Sequence, residues 1–288
     1  MSFGASAFRT AILCVSTLVP ACVHAEDIDT EHIFGFLIGT DVGNVGEREF
    51  QSQTTGRFSK TAGTYRAINQ ELELEFVPTN NFRIEVGNSF ASYDINGVAG
   101  FEDRRQLDWQ GASLDLRYKF LDRKAAPFGL TFALESHADR FDDMTGAPAR
   151  KYGTELTLAL DRELIPNRVV AAFNLFYEPE STHFFGMGAA LQESTAGGGL
   201  AVMTQIRPGF LIGGEVRYLR KYDGIDLNEF AGQALFAGPT AYLQLSERSR
   251  LTVAWSAQVW GRQAGSTAAL DLVNFERHEA RLVFGVSF

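Results

Sequence analysis

The chain has 288 residues, with 35 Asp and Glu against 26 Lys and Arg, 24 Phe, 28 Gly, 2 Cys and a mean hydropathy of −0.08. The acidic balance argues against a nucleic-acid partner, which needs the opposite sign. Both cysteines, Cys14 and Cys22, fall in the first 25 residues, so the remainder offers no thiolate metal or redox site.

The opening stretch reads as a secretory signal. Arg9 supplies a positive charge, AILCVSTLVPACV an apolar core, and Val23 and Ala25 the small residues before a cut after Ala25. The run is too short for a membrane helix, which needs ~20 apolar residues. A lipoprotein cut before Cys22 is the alternative, and Pro20 fits it poorly. Residues 26–46 are expected to form an N-terminal periplasmic or lumenal segment. Within them HIFGFLIGT (32–40) alternates and would add an odd strand.

From residue 47 a period of two recurs, the signature of two-faced strands. QELELEF sets Leu72, Leu74 and Phe76 against Glu71, Glu73 and Glu75, and FRIEVG sets Phe82, Ile84 and Val86 against Arg83 and Glu85. SLDLRYKF sets Leu114, Leu116, Tyr118 and Phe120 against Asp115, Arg117 and Lys119. FGLTFALES, YGTELTLAL and GFLIGGEVRYLRKY continue the theme. The predicted segments are 47–57, 63–77, 82–94, 105–120, 128–140, 151–161, 168–178, 191–206, 209–222, 234–245, 250–261 and 274–288. Short connections (78–81, 121–127, 161–168, 207–209, 246–249) alternate with longer ones rich in Gly and acid (96–105, 142–150, 178–190, 223–232, 261–271).

A soluble sandwich would also alternate, with its apolar face inside. Export, lack of Cys, loop asymmetry and a last strand with Leu282, Phe284, Val286 and Phe288 on one face favour the inverted case. That case is an all-β, transmembrane, antiparallel up-and-down β-barrel of about 12 strands over residues 47–288. The C-terminal strand resembles the one that Gram-negative outer-membrane barrels present to their assembly machinery, which implies that machinery as a partner. FAGQALFAGPTAYLQLSER (230–248) and NFERHEARLVFGVSF (274–288) resemble segments of an uncharacterised family of Gram-negative outer-membrane proteins. That resemblance implies a barrel set in outer-membrane lipid and lipopolysaccharide. It implies no established activity.

With the apolar face outward, the lumen-lining set is Glu71, Glu73, Glu75, Arg83, Glu85, Asp115, Arg117, Glu135, Glu155, Glu215, Arg217 and Arg281, with Lys119, His137 and Arg277 on the same parity. Arg83 is placed to partner Glu73 or Glu75. Such a lumen serves either as a narrow passive channel for small polar or charged solutes, or as a plugged barrel with a structural or surface-contact role. No cofactor is implied. His137 shares a face with Glu135 and Asp139 and reads as a polar lumen residue. A lipid-modifying enzyme would need an outer-wall site around His278, with Ser266 the nearest candidate. No GxSxG motif accompanies either histidine, so the chain is read as a non-enzyme. The acidic pairs at 102–103, 142–143 and 178–180 read as a solvated rim, because calcium needs six or more converging oxygens.

Overall fold

The computed structural model describes residues 28–288; the expected signal segment, residues 1–25, lies outside the described residues. Twelve strands follow in chain order: β1 (Arg48–Phe58), β2 (Thr64–Thr79), β3 (Phe82–Asn96), β4 (Arg104–Leu121), β5 (Gly129–Phe141), β6 (Pro148–Ile165), β7 (Val169–Phe184), β8 (Leu191–Arg207), β9 (Phe210–Asp223), β10 (Glu229–Gln244), β11 (Ser249–Gln263) and β12 (His278–Ser287). Each pairs antiparallel with its chain neighbours, and β12 closes on β1 from Glu49↔Ser287 to Phe58↔His278. Closure leaves no unpaired edge, the condition for crossing hydrocarbon with strands.

Parity sets the two surfaces. Leu74, Val86, Leu175, Val216, Trp255 and Leu282 point outward and are exposed, while Glu73, Glu75, Arg83, Glu85, Asp115 and Glu215 on the intervening positions are buried. In water so large an apolar exterior would aggregate; in lipid it is the stable arrangement. Exposed Phe76, Phe120 and Phe128 ring the short-turn end, and Phe90 and Tyr152 lie toward the long-loop end. These are the positions of interfacial aromatic girdles. Asn167 turns the β6–β7 hairpin with φ 55°, a left-handed conformation that Asn tolerates.

Residues 32–40 form no strand, and the segment 28–46 runs inside the barrel at the short-turn end. The structure departs from expectation in three places. β7 continues to Phe184, so Glu178 and Glu180 are strand residues facing the lumen and not rim acids. Pro179 stops the simple reading there, yet it still aligns with Ser194 of β8. Arg277 is exposed, because residues 264–277 fold over the lumen and β12 begins only at His278. The inward face is also not polar throughout. Val170 and Ala172 of β7, Ala201 and Met203 of β8 and Leu211 of β9 form an apolar patch against Ile28, Ile33, Phe34 and Leu37.

Candidate functional site: a plugged, charged lumen

The lumen has three layers. At the short-turn end, the periplasmic side of such barrels, residues 28–46 form a plug without regular structure. Its backbone amides have no ladder to join, and side chains of the barrel wall satisfy those of residues 28, 35–38 and 40. Glu215 accepts N–H groups of Gly35 at 2.5 Å, Phe36 at 2.9 Å and Leu37 at 3.0 Å, plus the Thr240 hydroxyl at 2.6 Å. Asp161 of β6 accepts the Thr40 amide at 2.9 Å and the hydroxyls of Thr40 (2.7 Å) and Thr30 (2.5 Å). Asn174 of β7 exchanges bonds with both the amide and the carbonyl of Ile38, at 2.8 and 3.0 Å. Three wall residues on three strands thus replace a missing strand partner. Two of the glycines in TAGGGLAV make room on the inner face, Gly199 for the plug and Gly197 for the wall. A Cβ at Gly199 would come within 3.0 Å of Leu37, and one at Gly197 within 2.6 Å of Phe176.

The middle layer is a cavity of about 490 Å³. Carboxylates outnumber Lys and Arg among its lining residues, and their order follows from register. Glu49 lies opposite Glu75, Glu75 opposite Glu85, Glu85 opposite Asp115, Asp115 opposite Glu135, and Glu135 opposite Glu155. Six carboxylates therefore cross β1 to β6 in one continuous row. Directly opposed like charges are destabilising, and the row is only partly neutralised. Arg83, 2% exposed at its side chain, reaches Glu31 of the plug at 3.0 Å, Glu75 at 3.1 Å and Glu85 at 3.2 Å. Arg117 pairs with Asp115 at 2.7 Å, and Arg250 of β11 with Glu49. Glu135 and Glu155 have no ion pair among the described residues; Glu155 accepts the Thr157 hydroxyl at 2.7 Å. Beside the row, Glu71 and Glu73 are held by amides, from Gln53 at 2.5 Å and Gln51 at 2.6 Å. Arg83 thus takes Glu75 and leaves Glu73 to Gln51.

The basic groups gather on the far wall. Arg217 of β9 pairs with Glu279 of β12, and Lys221 with Glu193 at 2.9 Å. Arg281 donates to Thr55 at 3.0 Å and to the Gly35 carbonyl at 3.2 Å. The Arg217 and Arg281 guanidinium groups lie 4.0 and 5.0 Å from the Phe36 ring centroid, a cation–π arrangement that fixes the plug tip. Unpaired carboxylates thus lie on the β5–β6 side of the cavity, while Arg217 and Lys221 across from them are paired with acids.

The third layer is a roof at the long-loop end. Asp143 of the β5–β6 loop binds Arg57 at 2.8 Å and Lys151 at 2.5 Å. Burial pushes its carboxyl up, but Lys151 and Arg57 overcome this and hold it well below the usual range. Tyr65 donates to the Met144 carbonyl at 2.9 Å. From the β11–β12 loop Phe275 packs edge-on against Phe236, and Lys60 donates to its carbonyl at 2.8 Å. Burial lowers Lys60 to about 8, and burial with repulsion from Glu279 raises Glu276 to about 8.

Every residue of the predicted lumen set faces inward, and Glu71, Glu73, Arg83, Glu85, Asp115, Arg117, Glu135, Glu155, Arg217 and Arg281 line the cavity itself. Glu75 is packed behind it against Arg83, and Glu215 is consumed by the plug. Sequence reasoning missed Glu49, Asp161, Asn174, Lys151, Lys221 and Arg250. Inward parity was their visible signal; the plug that gives several of them a partner left none. On the outer wall Leu282 and Phe284 are exposed, Val286 is half-buried, and the Phe288 amide donates to the Arg48 carbonyl at 2.9 Å. His278 stacks on Trp255 and its Nδ1 has no hydrogen-bond partner, while Ser266 Oγ accepts the Ala268 amide instead.

A closed twelve-stranded barrel with an apolar exterior, aromatic ends and a charged interior is an outer-membrane β-barrel. The solved COG4313 outer membrane channel from Pseudomonas putida F1 shares the fold, with a TM-score of 0.63 at 11% identity over 86% of this chain and 98% of that one. The translocator domain of the autotransporter NalP from Neisseria meningitidis is also similar, with 13% identity over 86% and 91% of the two chains and a TM-score of 0.47. No curated protein matches the chain. Residues 26–288 match a family of unknown function (DUF6662), and the protein belongs to that family.

Proposed function

We propose that the barrel is a narrow, plug-gated passage for small polar solutes, with cations preferred over anions. The observation that carries this is the carboxylate row Glu49–Glu75–Glu85–Asp115–Glu135–Glu155, whose last two members face the cavity without an ion pair. A cation entering the cavity meets negative charge that protein groups do not fully neutralise, in a space where water screens poorly. The plug sets the resting state. Its hydrogen bonds to Glu215, Asp161 and Asn174 keep the periplasmic half filled, so passage requires it to shift. The shared fold with an outer membrane channel supports the reading. No catalytic step is assigned.

Planar bilayers test it. The wild type should conduct weakly, a variant lacking residues 28–40 should conduct more, and both should pass K⁺ in preference to Cl⁻. A folded barrel without conductance in either form would sink the channel. That result would leave the second reading, a plugged barrel with a structural or surface-contact role, which the density of plug contacts favours.

A further inference from the structure

The geometry points to a divalent transition-metal site formed by His137 of β5 with Glu178 and Glu180 of β7, at the upper end of the carboxylate row. The site does not depend on conduction and stands or falls separately from the proposed function.

The imidazole is placed by two neighbours. Opposite His137 on β6 stands Gly153, and a Cβ there would lie 2.1 Å from the ring's Nε2. Glycine therefore lets the ring lie across β6 and reach toward β7. Asp139, two residues along on the same face, lies 2.6 Å from Nδ1. In the neutral ring, a carboxylate on Nδ1–H fixes the tautomer that turns an Nε2 lone pair toward β7, the arrangement that supports metal-bound histidines, and an ion binding there displaces any Nε2 proton.

That nitrogen has no hydrogen-bond partner in the protein. Nε2 is buried and makes no hydrogen bond. It lies 3.7 Å from Glu178 Oε1 and 3.9 Å from Glu180 Oε1, too far for hydrogen bonding. The three donor atoms all lie within 4.8 Å of one another. Bonds of ~2.0–2.2 Å to one nitrogen and two oxygens, at tetrahedral angles, put donors ~3.3–3.5 Å apart. The two edges to Nε2 thus need a contraction of a few tenths of an ångström, and the carboxylate–carboxylate edge, within 4.8 Å, closes by side-chain rotation. Three protein ligands with room for water on the cavity side suit Zn²⁺ or Co²⁺; Ca²⁺ would need at least six oxygens.

The neighbouring charges permit the ion. Lys151 touches Glu180 Oε1 at 2.5 Å, and it touches Asp143 Oδ1 at 2.5 Å as well, so it keeps a partner when the metal takes Glu180. Glu155 and Glu135, without ion pairs among the described residues, add negative potential from below. The other His–Glu cluster, Glu31, His32 and Glu75, lacks this vacancy, because Arg83 already bridges its two carboxylates.

The test is titration of the folded, detergent-solubilised protein with Zn²⁺ by calorimetry, and with Co²⁺ by visible absorption. The wild type should bind one Zn²⁺ and give the intense d–d bands of a four-coordinate Co²⁺ site. His137→Gln and Glu178→Gln should each weaken Zn²⁺ by at least the ~10–100-fold that losing an outer-shell partner costs and abolish the bands, with folding checked by the heat-dependent gel shift of barrels. Gly153→Val, which touches no proposed ligand chemically, should do the same by displacing the ring. No Zn²⁺ binding by the wild type, or equal binding in folded His137→Gln and Glu178→Gln, would overturn the assignment.

Discussion

Replacing Glu215 by Gln should release the middle of the plug and leave its two ends docked. The native carboxylate, 4% exposed, receives three consecutive backbone amides on its two oxygens. Hydrogen bonds to a charged group contribute ~1.5–3 kcal/mol each, so the three amides together represent ~4.5–9 kcal/mol against an empty site. Gln keeps one acceptor oxygen and turns an NH₂ toward the remaining amides. One or two bonds are lost, and water from the adjacent cavity recovers part of the cost. The expected loss is therefore about 3 kcal/mol, or roughly a 100-fold rise in local opening. Hydrogen exchange of the folded protein reads this directly. Amides 35–37 should exchange about 100-fold faster, while Thr40, held by Asp161, and Ile38, held by Asn174, change much less. Unchanged exchange at 35–37 in a folded barrel would refute the view that this side chain holds the plug.

Three further outcomes follow from the same geometry. Leu175→Arg, on the outer face near the middle of β7, should cost ~2–4 kcal/mol of stability in lipid, and Phe120→Arg, at the strand end, ~0–1 kcal/mol; equilibrium unfolding in bilayers measures both, and equal costs would contradict the outward apolar band. Glu135→Gln with Glu155→Gln should lower the K⁺ over Cl⁻ preference read from reversal potentials, whereas the same change at exposed Glu102 should leave it unaltered. The roof should loosen as pH rises from 4.5 to about 8. Glu276 has a folded pKa of about 8 against an ordinary 4.5, so the stability it contributes is full below pH 4.5 and lost as pH rises through about 8. Lys60, lowered to about 8, has the opposite sign, its contribution fading as pH falls through that value. Opening of residues 264–277, read as exchange divided by the base-catalysed intrinsic rate, should therefore rise between pH 4.5 and about 8 in the wild type and not in Glu276→Gln.

How far the sequence carries the structure depends on which contacts a parity rule can see. Strand order, closure and the inward set Glu71 to Arg281 are consequences of local alternation, and a local pattern shows them. The strand β7 runs past the predicted end at 178 because Pro179, whose missing N–H costs a ladder bond, still pairs opposite Ser194 and the alternation resumes at Glu180. The 32–40 segment alternates as a strand does, yet it lies in the lumen. Nothing in its own residues distinguishes the two fates; the deciding facts are Glu215, Asp161 and Asn174, more than 120 positions away. The carboxylate row was equally hidden. Each acid was visible, but their alignment needs the register of five hairpins at once.

These two hidden features have one cause. Irregular backbone at membrane depth survives only where polar groups surround it. A barrel whose inner wall were apolar could not hold residues 28–46, because their unpaired amides would remain unsatisfied. Conversely, the row of opposed carboxylates would be costly in a bare lumen. Arg83 links the two, since it binds Glu75 and Glu85 of the wall and Glu31 of the plug together. Plug and charged wall are mutually stabilising, and displacing the plug removes Glu31 from that guanidinium. Arg83 is then free to neutralise the row more fully. In the proposed passage, plug movement would therefore change the charge of the lumen as well as its width, so opening and selectivity would be coupled through a single side chain.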